Sequence, residues 1–319
     1  MIRFLINNDV VELNEARADL TLLQFIREHR KKTGTKEGCA AGDCGACTVV
    51  LVEPASSNSA AELNYRTVNS CITLMSAVHG KQLLFVEHLN DGKHLHPVQQ
   101  ALVDHHGSQC GFCTPGFIMS MFALYHSNTK PNRDDVLHAL SGNLCRCTGY
   151  RPIIDATMEV CEQTPDDQFT ARQAATLSTL LSLSGEKPTG TGNIHTPTSR
   201  EELKTLIQAH PTAQLVAGST DLSLQFTQQL KNVETLISVT HIDALKQLGV
   251  TDIVSVSAVG SLKEDLPPGK FVIVDQFIDR TFAREKTFFD NEIVAHVSMA
   301  HPTSDGLMNA CEEAIKEEK

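Results

Sequence analysis

Cysteines are the residues of this 319-residue sequence whose number and spacing point to chemistry. There are ten, and all but Cys161 and Cys311 fall between Cys39 and Cys147. No basic segment followed by an apolar run opens the sequence, so we expect no signal peptide and predict a cytoplasmic protein. In a reducing compartment, clustered cysteines indicate metal ligands or catalytic thiols rather than disulfides.

The first cluster has the spacing Cys-x4-Cys-x2-Cys, followed by one more cysteine downstream. Four thiolates with this plant-type spacing bind a 2Fe–2S cluster. The glycines Gly38, Gly42 and Gly45 permit the tight turns and close approach that such a loop needs. The alternative, a structural zinc ion, would prefer two paired Cys-x2-Cys knuckles, which this segment lacks. The predicted cluster ligands are Cys39, Cys44, Cys47 and Cys71.

A second cluster combines a Cys-x2-Cys pair with a Cys-x-Cys pair, and each pair directly precedes a predicted helix. Thr114 and Thr148 are the expected caps, while Pro115 and Pro152 suit the opening turns. Helix N-termini present N–H groups and positive dipole ends, which would stabilise an anionic cluster. Taken alone, the Cys-x2-Cys pair could belong to a zinc site, although Cys-x-Cys is a poor zinc knuckle, and the neighbouring motif favours iron. The predicted ligands are Cys110, Cys113, Cys145 and Cys147.

The secondary structure that holds these loops in place is predicted from hydrophobic periodicity and from helix and turn signals. The opening residues predict a small α+β unit, with a helix at 20–26 and strands at 2–6, 10–13 and 48–52. The next segment predicts a compact bundle, with helices at 97–106, 115–126, 133–140 and 152–161. A linker-like composition comes after it at 164–193, with one helical patch at 174–183.

A new α/β pattern begins after that linker. It predicts a helix at 200–209, a strand at 214–217, and further strands at 253–259 and 271–274. Directly after the first of these strands lies a Gly-Ser-Thr-Asp loop at 218–221. Such a loop can cradle a pyrophosphate through backbone N–H groups, although on its own it is better explained as an ordinary turn.

Overall composition narrows the classes of partner. Apolar residues make up 41% of the sequence and charged residues 20%, which is typical of a globular chain of two or three domains. The net charge of −11 argues against nucleic acid and anionic membrane surfaces as partners. No apolar stretch approaches 18 residues, so no membrane span is expected.

Two 2Fe–2S motifs in this order resemble the iron–sulfur region of the molybdenum hydroxylases. The likeness is dense over residues 1–160 and is strongest to the separate small subunit of bacterial xanthine dehydrogenases. It is carried by the passages Gly34–Cys39, Tyr65–Cys71, His96–Gln99 and His106–Phe117. The resemblance implies a β-grasp ferredoxin-like domain at 1–80 and a four-helix 2Fe–2S domain at 81–163.

In that family the cluster of the helical domain lies nearest a molybdopterin cofactor. The resemblance therefore implies a molybdopterin-binding large subunit as partner, with Gln109 and Cys147 toward that cofactor. Electrons would pass from molybdenum to the cluster of the helical domain, then to the ferredoxin-like cluster, and on to FAD and NAD. The chain would act as an oxidoreductase only within this complex and would carry no catalytic residue itself.

The C-terminal half resembles parts of two families. Residues 194–246 are similar to the start of the hydroxylases' FAD domain, whose flavin-phosphate loop matches Gly218, Ser219, Thr220 and Asp221. Residues 247–319 are instead similar to the methylthioadenosine and purine nucleoside phosphorylases, through Thr251–Leu262, Pro268–Thr281 and Ala295–Ala300. We therefore expect a truncated FAD-type domain joined to a phosphorylase-like fragment, and weak binding of FAD or none.

The expected fold class is thus α+β and multidomain. The expected function is that of an electron-transfer subunit in a xanthine-dehydrogenase-like molybdenum hydroxylase. Two alternatives stay open. One is a nucleoside phosphorylase with an iron–sulfur extension, although the sequence lacks the phosphate ligands such an enzyme needs. The other is a zinc-stabilised interaction module, which metal analysis would separate from the iron–sulfur protein.

Overall fold

The structure is a computed structural model that describes residues 1–242 apart from 56–61, 91, 128–129, 186–191, 221 and 241. The chain divides into two compact units, Met1–Asp243 and Ala244–Lys319. All described residues belong to the first unit. The strands expected at 253–259 and 271–274, and the rest of the phosphorylase-like segment, lie outside the described residues.

A five-stranded mixed sheet forms the ferredoxin-like part of the fold, in the order β2-β1-β5-β3-β4. β1 and β2 form an antiparallel hairpin, and β5 pairs with β1 in parallel at the centre. This arrangement agrees with the expected β-grasp fold. The strands are β1 (Ile2–Ile6), β2 (Asp9–Leu13), β3 (Thr48–Pro54), β4 (Leu63–Asn69) and β5 (Gln82–Leu84).

β3 joins the sheet to the helices because it is buried on both faces. Val49 and Leu51 pack into a cluster with Phe4 on one side of the sheet. Val50 and Val52 pack on the other side, into the core of the helical bundle. A strand covered on both faces carries a continuous apolar run rather than an alternating one. The two predicted domains therefore share one hydrophobic core.

The predicted helix at 20–26 begins later and continues further than expected. α1 (Leu22–Gln24) runs directly into a π-helical turn at Phe25–His29. Thr21 caps it, because its Oγ1 accepts from the Gln24 N–H and the Gln24 Oε1 accepts from the Thr21 N–H, both at 3.2 Å.

The four helices of the bundle all form within two residues of their predicted bounds. They are α2 (Pro97–Asp104), α3 (Thr114–Ser127), α4 (Arg133–Leu140) and α5 (Arg151–Val160). α3 packs against β3 and the three other helices, so that Gly116–Ala123 is buried throughout. None of the helices in the described part of the chain is long and apolar enough to cross a lipid bilayer.

A longer helix occupies the predicted linker. α6 (Gln168–Ser184) includes the helical patch expected at 174–183 and adds two turns before it. Phe169 at its start packs into the bundle core, while Leu180 and Leu183 near its end pack against Leu5 of β1. The helix therefore contacts both the bundle and the ferredoxin-like sheet.

A small parallel sheet ends the described chain, in the order β6-β8-β7. The predicted helix at 200–209 is confirmed, and the strand predicted at 214–217 is one residue shorter. Val216 and Phe226 from this part pack with Leu74, which belongs to the ferredoxin-like part. The elements are β6 (Ile194–His195), α7 (Arg200–Ala209), β7 (Gln214–Val216), α8 (Leu222–Thr227) and β8 (Leu236–Ser238).

Candidate iron–sulfur centres

The first four predicted ligands come together between the loop before β3 and the turn after β4. The Cys39 and Cys44 thiols form one contacting pair, and the Cys47 and Cys71 thiols form another. The hydrogen bond to Cys47 raises the pKa of Cys71, and the charge on Cys39 adds to that rise, so the two pairs are close to each other. The Cys47–Cys71 pair, called the inner pair below, is buried, whereas the Cys39–Cys44 pair, called the outer pair, is half-buried.

The loop aims backbone N–H groups at the outer pair. Ala40 and Gly42 take left-handed conformations, with φ of 52° and 82°, and these turn the chain around the Cys39 sulfur. Burial favours the neutral thiol, but the N–H donors outweigh it and lower the pKa of Cys39. Three N–H groups donate to this Sγ, from Ala41 at 3.4 Å, Asp43 at 3.3 Å and Cys44 at 3.4 Å.

Two of the predicted glycines are required by close approach. A Cβ on Gly38 would lie 2.8 Å from the Cys44 Sγ, so a side chain there would displace a ligand. Gly45 combines a φ of 71° with a position where a Cβ would lie 2.2 Å from the Gly142 carbonyl oxygen. The loop can therefore hold its cysteines in this arrangement only without side chains at these positions.

The second set also forms two contacting pairs, an inner Cys113–Cys145 pair and an outer Cys110–Cys147 pair. Both outer cysteines are exposed, whereas Cys145 is buried. Burial, followed by the hydrogen bond to Cys145, raises the pKa of Cys113 to about 12. The charge on Cys110 also acts on Cys113, so all four thiols share one neighbourhood.

The helix caps around this set differ from prediction. The Thr114 hydroxyl lies 2.7 Å from the Ser108 hydroxyl, and Thr114 is itself the first residue of α3. The N-cap of α5 is Tyr150, which has a φ of 68° and makes no side-chain cap bond. Thr148 instead lies beside Cys145, with its Oγ1 at 3.2 Å and its N–H at 3.5 Å from the Sγ. Burial raises the pKa of Cys145, but the hydrogen bonds to its thiol, led by those from Thr148, outweigh burial, so the pKa is lowered.

The chemistry of the two donor sets fits iron–sulfur clusters. In each inner pair, one thiol has a lowered pKa and the other has a raised pKa. In the first set, hydrogen bonding from Cys71 lowers the pKa of Cys47 to about 7, and the pKa of Cys71 is raised. Four adjacent thiols ionise together only when cations balance them, and two irons per cluster supply that charge. Because no cysteine belongs to both sets, the described residues provide for two separate clusters.

The two sets meet at one junction. The Cys44 carbonyl accepts from the Leu144 N–H at 2.9 Å, and Leu144 directly precedes Cys145. The next carbonyl, that of Gly45, accepts from the side-chain amide of Asn143 at 3.0 Å. Sequence reasoning missed Asn143, because nothing in the sequence shows what its amide faces.

The predicted flavin-phosphate loop lies against the first set rather than apart from it. Gly218 and Thr220 are exposed, whereas Ser219 is buried with a φ of 63° and donates from its Oγ to the Ile72 carbonyl at 3.0 Å. The Ser219 hydroxyl is thus already bonded to protein, and Asp221 lies outside the described residues. Further along, the Gln228 side-chain amide donates to the Cys39 carbonyl at 3.1 Å.

One more group of potential ligands, His96, His126 and Asp167, has side chains that are at most 5% exposed, beside Phe122 of the bundle core. The His96 Nδ1 accepts from the Val98 N–H at 3.2 Å, so its Nε2 carries the proton and donates to the Asp167 Oδ2 at 2.8 Å. The His126 Nε2 lies 2.9 Å from the same oxygen. A metal ion on the His96 Nε2 would force that proton onto the Nδ1. The Nδ1 cannot carry it, because it already accepts from the Val98 N–H. We therefore interpret this group as a hydrogen-bonded node joining α2, α3 and α6.

Comparison with known proteins agrees with two 2Fe–2S sites. The model described as "2Fe-2S iron-sulfur cluster binding domain" matches residues 5–76, and the one described as "[2Fe-2S] binding domain" matches residues 85–158. A xanthine dehydrogenase from Blastobotrys adeninivorans is 50% identical over 137 residues, 43% of this chain and 10% of that protein. Residues 5–158 are therefore similar to the iron–sulfur region of the molybdenum hydroxylases.

Other relatives agree with this assignment. Aldehyde oxidase 1 from Rattus norvegicus is 43% identical over 159 residues, 50% of this chain and 12% of that protein. A xanthine dehydrogenase from Drosophila pseudoobscura pseudoobscura is 34% identical over 268 residues, 70% of this chain and 20% of that protein. The chain thus spans between a tenth and a fifth of the length of these relatives.

Two further family models match the C-terminal half. "FAD binding domain in molybdopterin dehydrogenase" matches residues 189–264, and "Phosphorylase superfamily" matches residues 234–319. The chain therefore carries an FAD-type segment followed by a phosphorylase-like one, as the sequence indicated. The two matches overlap over 234–264, and the boundary predicted at 246 falls inside that overlap.

Proposed function

We propose that the chain is the electron-transfer component of a xanthine-dehydrogenase-like molybdenum hydroxylase. It would relay electrons from a molybdopterin-binding partner subunit toward a flavin and NAD. The observation that carries the proposal is the pair of four-cysteine sets joined by the hydrogen bond between Leu144 and Cys44. When bound, 2Fe–2S clusters supply reversible electron transfer at potentials tuned by hydrogen bonds and burial.

The chain's own residues hold and tune the two centres. The proposed ligands are Cys39, Cys44, Cys47 and Cys71 for one cluster, and Cys110, Cys113, Cys145 and Cys147 for the other. Backbone N–H groups at Cys39 and the Thr148 hydroxyl at Cys145 stabilise thiolate charge. Between the sets, the Cys44 carbonyl and the Leu144 N–H complete a continuous path of covalent bonds and one hydrogen bond.

Exposure supports an order for the relay. The outer pair of the second set is open to solvent, and Leu144, which directly precedes Cys145, is 56% exposed. Exposed apolar side chains at a redox site suit docking of a partner, so we assign the molybdopterin subunit to this surface, with Gln109 and Cys147 toward its cofactor. The first set instead contacts the flavin-type segment, through Gln228 and Ser219.

Metal analysis tests this proposal directly. The full chain, purified without oxygen, should contain iron and acid-labile sulfide in equal amounts and show two EPR signals after reduction. Zinc without sulfide would overturn the proposal and favour the zinc-stabilised interaction module. Iron sufficient for one cluster would refute the relay, since a relay requires both centres.

The phosphorylase match favours one second candidate, a nucleoside phosphorylase with an iron–sulfur extension. It rests on residues 234–319 alone. Incubation of the full chain with purine nucleosides and phosphate, with release of free base as readout, tests it. We expect no turnover, because a phosphate and nucleoside pocket is built from several loops and the match covers residues 234–319 alone.

A further inference from the structure

We infer that Asn143 is a positioning residue that sets the relative placement of the two iron–sulfur centres. This inference rests on the proposed function, because it concerns how the two centres act together. Asn143 is not a ligand in either set. It precedes Cys145 by two positions, and its side chain reaches the loop that carries Cys44. It is 3% exposed, so solvent does not compete for its amide.

The Asn143 amide bonds to both domains at once. On the ferredoxin-like side its Nδ2 donates to the Gly45 carbonyl at 3.0 Å and to the Thr48 Oγ1 at 3.2 Å. On the bundle side its Oδ1 accepts from the Ser120 hydroxyl of α3 at 2.6 Å. Three buried polar partners thus meet at one side chain. Removing it takes the acceptor from the Ser120 hydroxyl and one donor each from the Gly45 carbonyl and the Thr48 hydroxyl.

The surroundings leave this junction little room to adjust. A Cβ on Gly116, in the first turn of α3, would lie 2.2 Å from the Gly45 carbonyl oxygen. The same carbonyl also accepts from the Thr48 N–H at 3.1 Å and the Thr48 hydroxyl at 2.7 Å. The backbone of α3 and the cysteine loop are therefore in contact, and the Asn143 amide fixes where they touch.

The consequence concerns the link between the two ligand loops. The Leu144 N–H, which donates to the Cys44 carbonyl, belongs to the residue next to Asn143. A displacement of Asn143 therefore lengthens or breaks that bond while every cysteine keeps its own set. Asn143 thus acts on the coupling between the centres, rather than on the ability to bind either one.

The test is the magnetic interaction between the two reduced clusters in the full-length chain. In the unaltered protein we expect the low-temperature EPR signals to show mutual splitting. Asn143→Ala should retain iron and sulfide and both signals, but lose or change the splitting. Asn143→Asp, which keeps an acceptor for Ser120 but removes the donor to Gly45, should have the same effect.

A matched control comes from a second asparagine that bonds to the same cysteine loop. The Asn69 Nδ2 donates to the Gly42 carbonyl at 2.6 Å. Asn69→Ala removes a bond of the same kind from the first ligand loop, so it should alter the signal of that cluster and leave the splitting unchanged.

The outcomes separate this inference from the proposed function. Unchanged splitting in folded Asn143→Ala or Asn143→Asp overturns the positioning role and leaves the relay standing. Loss of all iron in both variants also overturns it, since Asn143 would then act in folding. Two unsplit signals in the unaltered chain overturn it as well, whereas absence of iron from that chain refutes the relay itself.

Discussion

At the scale of single residues, eight of the ten cysteines divide into two independent groups. No thiol of the first set belongs to the second, and the loops touch through backbone and amide groups. Each group should therefore bind or lose its cluster separately. Cysteines with lowered pKa values, such as Cys39 and Cys145, show that the fold already stabilises thiolates at these positions.

Cys44→Ser should remove the first cluster and leave the second. A serine hydroxyl is less acidic than a cysteine thiol and is a poorer ligand for iron. Cys44 belongs to the first set only, so the second cluster keeps all four of its ligands. Iron content should fall by half, and one of two EPR signals should remain. Cys113→Ser is the reciprocal variant and should remove the other signal. If either change abolished both signals in a folded chain, the two sites would not be independent.

Gly38→Ala should lower occupancy of the first cluster without replacing any of its cysteines. The added Cβ would come within 2.8 Å of the Cys44 Sγ, so the loop must shift to admit it. Gly142→Ala is the matched control, because a Cβ there meets nothing within 4 Å. Iron bound per chain measures both. Equal iron content in the two variants would contradict the close-approach argument.

At the scale of elements, helix α6 depends on its capping carboxylate. The Asp167 Oδ1 accepts from the N–H groups of Phe169 and Thr170, at 3.0 and 2.9 Å. Its Oδ2 accepts from His96 and His126, and the side chain is only 2% exposed. Burial favours the neutral acid, but these donors outweigh it and hold the pKa of Asp167 well below its usual range.

Asp167→Asn should destabilise the chain by about 3 kcal/mol at pH 7, because it leaves buried partners without their carboxylate. A depressed pKa stabilises the fold fully above the unfolded-state value of about 4, and this stabilisation is lost progressively as the pH falls from there toward the lower folded-state value. The deficit of the variant should therefore shrink between about pH 5 and pH 3. Urea unfolding across this range measures it.

The control for this experiment is the neighbouring acid Asp166, which is less buried. Asp166→Asn makes the same change of charge next to the node, and we expect an effect within about 0.5 kcal/mol. A deficit for Asp167→Asn that stayed constant down to pH 3 would show that the carboxylate does not contribute through its depressed pKa.

At the scale of the whole molecule, the exposed surface around the second set predicts where the partner docks. A photocrosslinker placed at Leu144, which directly precedes Cys145 and is 56% exposed, should capture the molybdopterin subunit. The matched position is Val10 on the β1–β2 hairpin, which is 46% exposed and should capture none. Capture through Val10 alone would contradict the proposed electron order.

FAD should bind the chain weakly or not at all. A cofactor of that size must bury most of its surface to bind tightly. The Ser219 hydroxyl is bonded to Ile72, and the phosphorylase-like match begins before the FAD-type match ends. Flavin fluorescence after gel filtration measures retention, and NAD reduction in the presence of the partner measures transfer. Stoichiometric FAD in the purified chain would overturn this prediction.

The grouping of the cysteines into two sets, the four bundle helices and strands β1, β2 and β3 could be predicted from the order of the amino acids, whereas β4 and the central β5 were missed. Cysteines that bind a metal cluster have a characteristic spacing, and the buried strand at 48–52 is a continuous apolar run. Both patterns can be recognised within a short window of residues. The helix at 168–184 was only partly visible, because its apolar positions face two different domains rather than one.

How the two centres are joined depended on the folded chain. The Cys44–Leu144 hydrogen bond, the Asn143 amide and the Asp167 node each connect residues far apart in the chain. In the sequence, these contacts correspond to an asparagine, an ordinary backbone N–H and a helix-capping aspartate. Such features are common in any protein and do not indicate a junction. Their roles arise from what folding brings opposite them, and no local pattern records which distant carbonyl a buried donor will meet.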